Sequence, residues 1–321
     1  MVQVGARWWK LDFHTHTPAS MDYGRHEPHL RNTVTPREWL SSFVDQGIEC
    51  VAVTDHNTAS WVDRLQVEAA VMREEGKIIH VFPGVEITAN GNIHILAIFD
   101  PSKSSEIVMA AVGAAKFRGE YGNSDAVAGE SAENIVDEIT KLGGIAIPAH
   151  IDMKAGMCQI QSSHTIKQIC HKSSAVEVIF PEGGRGPEHD ECLRRYKALE
   201  LGLAEVIGSD AHRPDEVGRA YTWVKMSSPT IDGVRLALVD GASSIKRSNT
   251  VTGNPNAVSS NVIHSISIDK AKYCGRGKPL EIVFNPWLNS IIVGRCSGKS
   301  FILEFNRLSL GLDKDLLDYP G

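Results

Sequence analysis

Short apolar runs alternate with amphipathic segments through the first three quarters of the chain. The runs are rich in Val, Ile and aromatic residues and are bounded by turn-forming residues, a pattern typical of strands. Strands are therefore predicted at 8–13, 48–54, 77–87, 93–99, 144–149, 175–180, 204–209 and 220–226. Capping signals predict helices between them, with Thr35 before Pro36 at one helix start and Ser131 at another.

The order of these elements predicts an α/β fold. Repeated β–α units with near-continuous apolar strands are typical of a mainly parallel sheet, and seven or eight such units indicate a barrel. The composition changes at 241–262, where Ser, Asn, Gly and Thr dominate and a linker is predicted. The predicted domains are a barrel over 1–240 and a separate C-terminal segment over 263–321, joined by that linker.

Composition narrows the functional classes. The 321 residues are 42% hydrophobic and carry a net charge of −6, which excludes a uniformly basic nucleic-acid-coating protein but allows a local basic groove. The six cysteines form no CxxC pair, so reduced thiols are expected rather than a disulfide framework or a thiolate zinc site. The N-terminus has no signal-peptide pattern, and the longest apolar run, 107–115, is too short to span a bilayer. A soluble cytoplasmic protein is expected.

Histidines and acids cluster at the predicted strand ends, where barrel enzymes build their sites. The first strand ends in HTH, whose two imidazoles share a face because residues i and i+2 of a strand point the same way. The segment GSDAHRP repeats that spacing with an acid and a histidine. The candidate metal ligands are His14, His16, Asp22, His56, Glu86, His94, His150, Asp210 and His212. Asp55 is expected to orient His56 from behind.

The types of candidate ligand indicate the chemistry. Imidazoles and carboxylates without thiolates suit Zn, Mn or Fe, and a shared carboxylate suits a close pair of ions. Such ions activate water and stabilise both oxygens of an in-line displacement, which is the chemistry of phosphoester hydrolysis. Four basic residues near the predicted mouth, Arg25, Lys154, Arg185 and Arg213, could bind substrate phosphates. Arg213 is favoured because it follows the DxH motif.

The motifs HxH, DH, GxE, H and DxH, in this order over residues 12–212, resemble those of the PHP (polymerase and histidinol phosphatase) domain. The resemblance implies a distorted (β/α)7 TIM-like barrel and a metal-dependent phosphoesterase with a trinuclear metal site. It assigns His14, His16, Glu86 and Asp210 to one ion, Glu86, His94 and His150 to a second, and Asp22, His56 and His212 to a third. Glu86 then bridges two ions, Asp210 helps to orient the reacting water, and His212 completes the outer ion, so these three residues are assigned catalytic roles.

Three other functions fit parts of the pattern. An amidohydrolase also opens with HxH, but that class usually bridges its metals with a modified lysine, whereas this chain offers Glu86. A small-molecule phosphatase of the histidinol-phosphate type is the alternative enzyme. A metal-stabilised, non-catalytic scaffold is disfavoured by the complete ligand set. The leading interpretation is a phosphoric ester hydrolase acting on nucleic acid ends or nucleotides, and its nucleic-acid part rests on analogy with the resembled families.

A second motif lies in the C-terminal segment. NSIIVGRCSGKSFILEF predicts an apolar strand, a glycine loop and a helix, the context of a Walker A motif. The candidate nucleotide-binding residues are Gly294, Gly298, Lys299 and Ser300, with Lys299 reaching the β- and γ-phosphates and Ser300 holding Mg²⁺. The loop departs from the pattern because Val293 stands at the first glycine position.

The sequence around this motif resembles the N-terminal edge of an ABC/SMC-type ATPase, and the whole chain resembles part of a PHP–ATPase fusion of the TrlF-like kind. No Walker B strand is recognisable after Ser300. Mg-ATP is therefore expected to bind only in a longer parent protein that supplies the rest of the ATPase domain. The other expected partners are a phosphate-ester substrate, such as DNA or RNA, and a second copy of the chain, with no membrane partner.

Overall fold

The fold is given by a computed structural model of the chain. It describes residues 5–153, 156–157, 160, 162–180, 186–257, 262–272, 274–292, 294 and 298–312. By its internal contacts the chain divides into two units. The barrel unit is Arg7–Pro255, and the small unit is Met1–Ala6 with Asn256–Gly321.

All eight predicted strands are present in the barrel unit, together with a ninth. The strands are β1 Arg7–Asp12, β2 Cys50–Val53, β3 His80–Ala89, β4 Ile93–Ile98, β5 Ile145–Pro148, β6 Ala175–Glu177, β7 Ala204–Val206, β8 Thr222–Met226 and β9 Ile245–Arg247. The ninth strand, β9, lies in the stretch that composition assigned to a linker, and it pairs with β8. Its Ile245 and Arg247 are buried, and Lys246 between them is partly exposed.

Helices connect the strands of the barrel unit, and two of them begin at the predicted capping residues. They are α1 Leu30–Thr33, α2 Pro36–Asp45, α3 Val62–Glu74, α4 Ser105–Ala114, α5 Ala132–Lys141, α6 Ser163–Lys172, α7 Gly186–Lys197 and α8 Ile231–Asp240. Thr35 and Glu38 form a reciprocal capping box at the start of α2. The Ser131 side chain accepts from the Asn134 amide at the start of α5. Among the described residues, no helix is long and apolar enough to cross a membrane.

The main sheet has seven strands in the order β5-β4-β3-β2-β1-β8-β9. Only β1–β2 and β2–β3 pair in parallel, whereas β3–β4, β4–β5, β1–β8 and β8–β9 are antiparallel. The prediction of a mainly parallel sheet is therefore wrong. One cause is the three-residue turn between Ala89 and Ile93, which is too short for a parallel crossover and reverses the chain. A strand buried on both faces shows the same apolar run whichever way its neighbours point, so composition could not reveal this reversal.

Two further strands complete the curled sheet. β6 and β7 pair in parallel with each other. The amide of Ser174, just before β6, donates to the carbonyl of Ala146 in β5. Beyond β7, the backbone amide of Asp210 donates to the carbonyl of His14. The backbone amide of His16 donates to the carbonyl of Ala211. The result is a mixed α/β fold with a curled half-barrel of sheet, whose rim carries the segments that follow β1 and β7.

The two faces of this sheet are both buried. Val51 and Val53 of β2 lie in one apolar cluster with α2 residues such as Trp39 and Phe43. Their neighbours Cys50 and Ala52 lie in a second cluster with strand residues such as Phe82. Alternate residues of one strand thus serve different cores. This fixes the strand register, and with it the positions of the polar residues at the strand ends.

The described residues of the small unit form an antiparallel hairpin and one helix. They are β10 Ser265–Ile268, β11 Leu280–Val283 and α9 Lys299–Ser309. A helix was predicted after the glycine loop, and α9 follows Gly298, whose φ of +87° lies in the region that favours glycine. The strand predicted just before that loop is wrong for residues 289–292, because they have no strand partner among the described residues and Ile292 is 91% exposed. Val293 and residues 295–297 of the predicted loop lie outside the described residues.

Candidate metal centre

The HxH motif projects two buried imidazoles from the end of β1. The Nε2 atoms of His14 and His16 lie 3.3 Å apart. The intervening Thr15 turns the other way and donates its hydroxyl to the carbonyl of Ala52. This is the shared face that the i, i+2 spacing predicts. Gly208 allows β7 to end close beside His14, since a Cβ at Gly208 would lie 2.5 Å from the His14 Cβ.

Glu86 is the central carboxylate of the site and is 1% exposed. Its Oε1 lies 2.7 Å from His94 Nδ1 and 3.2 Å from His150 Nε2. Its Oε2 lies 2.9 Å from His56 Nδ1 and 3.4 Å from His14 Nε2. The two oxygens of one side chain therefore face different groups of histidines, as a bridging ligand must.

Two further acids complete the outer part of the site. Asp22 Oδ2 lies 3.2 Å from His56 Nε2 and 3.3 Å from His212 Nε2. Asp210 Oδ1 lies 3.3 Å from His16 Nε2 and 3.6 Å from His212 Nδ1. Asp210 has a left-handed backbone with φ of +49°, a conformation that Asp tolerates better than most residues. The structure thus brings all nine predicted ligand residues into one site.

The ligand atoms fall into three adjoining groups, and within each group they lie within 4.8 Å of one another. The groups are His14 with His16 and Glu86, Glu86 with His94 and His150, and His16 with His56 and His212. His16 and Glu86 each belong to two groups. The second group is the expected one, whereas the first lacks the expected Asp210 and the third has His16 in place of the expected Asp22.

The donor set fits divalent cations. Asp22 Oδ1 is buried and has no hydrogen-bond partner among the described residues. Leaving such a group unsatisfied costs about 1–3 kcal/mol, and a cation beside this oxygen would remove that cost. Imidazole and carboxylate donors in close groups of three are suitable ligands for divalent transition metals.

The acids and histidines of the site shift one another's pKa values. Burial would raise the pKa of Glu86, but His94, His14 and His56 outweigh it and hold that pKa well below the usual range. Burial, with His212 and His56 nearby, lowers the pKa of His16 to about 3. His16 is therefore neutral, which is the form that ligates metals. Burial also opposes protonation of His56, but Glu86 and Asp22 prevail and raise its pKa to about 10.

Glu177 is a functional residue that the sequence analysis missed. It is fully buried at the end of β6, and its Oε2 accepts from His14 Nδ1 at 2.9 Å and from the His150 amide at 3.0 Å. Its Oε1 accepts from the Gly208 amide at 3.1 Å. A carboxylate that accepts from Nδ1 leaves the Nε2 lone pair of His14 directed at the centre. The available signal was an acid inside the apolar run AVEVIF.

Asp55 is linked to a second histidine besides the one expected. It accepts from the Thr17 amide and from the hydroxyls of Thr17 and Ser20, each at 2.7 Å. The Ser20 oxygen in turn lies 2.9 Å from His16 Nδ1. Because Ser20 donates to Asp55, it accepts from His16, which leaves Nε2 of His16 free of hydrogen. Asp55 therefore orients His16 through Ser20. The same Ser20 oxygen accepts from the His56 amide at 3.2 Å, so Asp55 reaches the predicted His56 only through this hydroxyl.

The predicted phosphate-binding arginine is engaged elsewhere. Arg213 donates to Glu27 at 3.1 Å and to Asp215 at 2.7 Å. Arg219, which the sequence analysis did not select, donates to the carbonyls of Ser209 at 2.6 Å and Asp210 at 2.9 Å. Its guanidinium therefore sits at the edge of the metal centre. Of the other basic candidates, Arg25 is exposed in the loop after Asp22, and Lys154 and Arg185 lie outside the described residues.

Glu177→Gln is expected to weaken metal binding by about 10–100-fold, since it replaces the carboxylate that fixes the His14 tautomer. The measurement is a Mn²⁺ titration of the metal-free protein by calorimetry, together with activity against free Mn²⁺. Glu205→Gln is the matched control, because Glu205 lies on β7 and pairs with Arg247 away from the ligands. Unchanged affinity in Glu177→Gln would show that this carboxylate has only a packing role.

Comparisons with known proteins support the fold. The PHP-associated family model matches residues 194–243. An uncharacterised protein of Streptococcus pneumoniae serotype 4 is 35% identical over 68 residues, which are 20% of this chain and 26% of that protein. The chain thus spans about a quarter of the curated relative that it matches.

The solved structures similar to this chain include two endonucleases. One is the lesion-specific endonuclease EndoQ of Pyrococcus furiosus, with 14% identity, a TM-score of 0.56, and coverage of 75% of this chain and 58% of that one. The other is Endonuclease Q bound to a 27-mer duplex with an abasic lesion at the active site, with 13% identity, a TM-score of 0.52, and coverage of 73% and 57%. The chain spans less than two thirds of either protein. At this identity the similarity shows that the fold is shared.

Proposed function

We propose that this chain is a metal-dependent phosphoric ester hydrolase whose ligands hold two to three divalent transition-metal ions. The observation that carries the proposal is the sharing of Glu86 and His16 between adjacent groups of ligand atoms. Shared ligands bring ions close together, which suits a displacement in which attacking and leaving oxygens both need stabilisation.

Charge supports an anionic substrate. Three divalent ions would bring six positive charges, against three negative charges from Asp22, Glu86 and Asp210. The remaining positive charge is complementary to a phosphate ester and to the hydroxide that attacks it. Arg219 adds a cation at the edge of the same site.

The chain's own residues have distinct roles in this proposal. Bound metal ions would supply an activated water and electrostatic stabilisation of the phosphoryl oxygens. Glu177 and Ser20 hold His14 and His16 in the tautomers that ligate. Glu86 contacts a different group of histidines with each of its two oxygens. Asp210 places a carboxylate between His16 and His212. His212 completes the outer group.

DNA is the favoured substrate within this class. The support is the shared fold with Endonuclease Q, one structure of which contains duplex DNA with a lesion at its active site. A nuclease or nucleotide phosphoesterase is therefore the specific form of the proposal. Coupling to an ATPase is a further part of it, supported by the Gly298–Lys299–Ser300 segment at the start of α9.

The proposal is tested with protein stripped of metal by a chelator. Added Mn²⁺ or Zn²⁺ is expected to restore hydrolysis of bis-p-nitrophenyl phosphate, nucleotides, or labelled DNA and RNA, and the stripped protein is expected to be inactive. Elemental analysis of the active protein should find two to three ions per chain. Full activity in protein without metal would contradict the proposal, as would inactivity towards every phosphoester with metal bound.

A further inference from the structure

A pocket opens beside the metal centre, on the side of Asp210. Its volume is about 480 Å³, within the roughly 300–1,000 Å³ typical of small-molecule sites. Among the described residues that line it, Arg219 is the one cation and Asp210 is the one acid. Because Asp210 is a candidate metal ligand, this pocket, here called the Arg219 pocket, joins the arginine to the site of the proposed reaction.

Hydrogen bonds hold the Arg219 guanidinium at the exit from β7. Its Nε donates to the carbonyl of Ser209 at 2.6 Å, and its Nη2 donates to the carbonyl of Asp210 at 2.9 Å. The Asp210 carboxylate faces His16 and His212 instead. The guanidinium is therefore tied to the backbone beside the metal centre, and the carboxylate stays available to a metal ion.

The positive charge of Arg219 is only loosely balanced. Its ion-pair partner Glu216 lies 3.4 Å from Nη1, beyond the about 2.7–3.2 Å of an ordinary N–H···O hydrogen bond. The Arg219 side chain is 49% exposed, and the two carbonyls use only two of the five N–H donors of a guanidinium. Arg213 differs, because it pairs with two carboxylates. Arg219 therefore retains both charge and donors for an anion.

We propose that Arg219 binds a second, non-reacting phosphate of the substrate while the metal centre holds the reacting one. The inference rests on the proposed function and specifies its substrate class, namely esters in which one sugar carries two phosphates, as in a nucleic acid strand. Bound metal ions would offset the charge of the reacting phosphate, so the guanidinium remains for the neighbouring phosphate, which it can bind through paired N–H donors. A cavity of this volume also leaves room for the sugar between the two phosphates.

The test compares two esters with the same sugar and the same leaving group, thymidine 5′-(p-nitrophenyl phosphate) with and without a 3′-phosphate. Arg219→Gln is expected to lower the ratio of kcat/KM for the ester with the 3′-phosphate over the ester without it by about 10-fold, the loss expected when a hydrogen bond between charged groups is removed. Arg213→Gln is the matched control and should keep the wild-type ratio. A purely structural role of Arg219, in holding the Asp210 segment, would slow both esters equally and leave the ratio unchanged.

The same comparison is made in the opposite direction, because a strand can enter a site in either polarity. Thymidine 3′-(p-nitrophenyl phosphate) is measured with and without a 5′-phosphate. The Arg219→Gln effect is expected in one of the two pairs of esters, and the pair that shows it gives the direction of the strand in the site.

A second pair of variants keeps the inference testable if Arg219→Gln disturbs the segment after β7. Asn249 lines the same pocket, is exposed, and donates to the carbonyl of Ile179 at 3.1 Å. Asn249→Asp puts a negative charge in the pocket and is expected to lower the same ratio several-fold by repulsion of the second phosphate. Asn249→Ala loses the bond to Ile179 without adding charge, so it is the matched control and should keep the wild-type ratio.

The outcomes separate the two proposals. Hydrolysis of all the esters with the same ratios in wild type, Arg219→Gln and Asn249→Asp would overturn the role of Arg219 and leave the phosphoesterase proposal standing. If no ester is hydrolysed, the phosphoesterase proposal fails, and calorimetry of Mn²⁺-loaded protein with thymidine 3′,5′-bisphosphate tests Arg219 independently of turnover. A Kd that rises about 10-fold in Arg219→Gln would then support the phosphate-binding role, and an unchanged Kd would overturn it.

Discussion

Glu86→Ala is expected to abolish two of the three groups of ligand atoms at once. Both groups contain this carboxylate, and its oxygens face histidines on both sides. The variant should bind at least one metal ion fewer per chain than wild type and lose activity by at least about 10²–10³-fold. Elemental analysis and phosphoester turnover at saturating Mn²⁺ are the measurements.

The control for this variant is Thr88→Ala, which truncates another buried side chain two residues further along β3. If the loss in Glu86→Ala came from damage to the strand, Thr88→Ala would share it. Thermal unfolding of both proteins in the absence of metal shows whether the strand survives. A Glu86→Ala protein with the wild-type metal content would refute the assignment of Glu86 as the bridge.

Asp210→Asn is expected to reduce turnover by about 10²-fold or more even at high metal concentration. The substitution keeps the shape of the side chain but removes the charge that faces His16 and His212. His212→Ala should cost less at saturating Mn²⁺, because excess ion refills a weakened outer group by mass action. The measurement is turnover of both variants across a Mn²⁺ titration.

Asp215→Asn serves as the control for charge removal, since Asp215 forms an ion pair with Arg213, which is not a candidate ligand. It should titrate with Mn²⁺ as wild type does. The role assigned to Asp210 would be wrong if excess Mn²⁺ rescued Asp210→Asn completely and left His212→Ala inactive.

The positions of the strands and of the candidate metal ligands were predictable because both follow from local patterns. Apolar runs mark strands that are buried on both faces, and HxH or DxH spacing at their ends places two side chains on one side. Glu86 was recognisable for the same reason, as an acid in an otherwise apolar strand. The structure brings these residues together even though more than a hundred residues separate Glu86 from Asp210.

The remaining features depend on contacts that spacing does not encode. The direction of β4 depends on a three-residue turn, and an apolar run carries no direction. The link from Asp55 through Ser20 to His16 depends on how the loop after β1 folds back. Arg213 was predicted to bind phosphate, but it pairs with two acids. Arg219 instead lies beside the site, on the carbonyls of Ser209 and Asp210. Each of these outcomes is set by tertiary packing.

The reversal of the chain between β3 and β4 also gives the metal centre an order of assembly. Glu86 and His94 are only eight residues apart and meet as soon as the hairpin closes. Asp210 must instead close a loop of nearly two hundred residues to reach His14, at a greater entropic cost and therefore later in folding. The earliest ligand pair can thus form on the nascent chain before the last strands exist. Metal binding is then expected to be coupled to folding of the N-terminal half, and Asp210 is the one candidate acid that joins the site late.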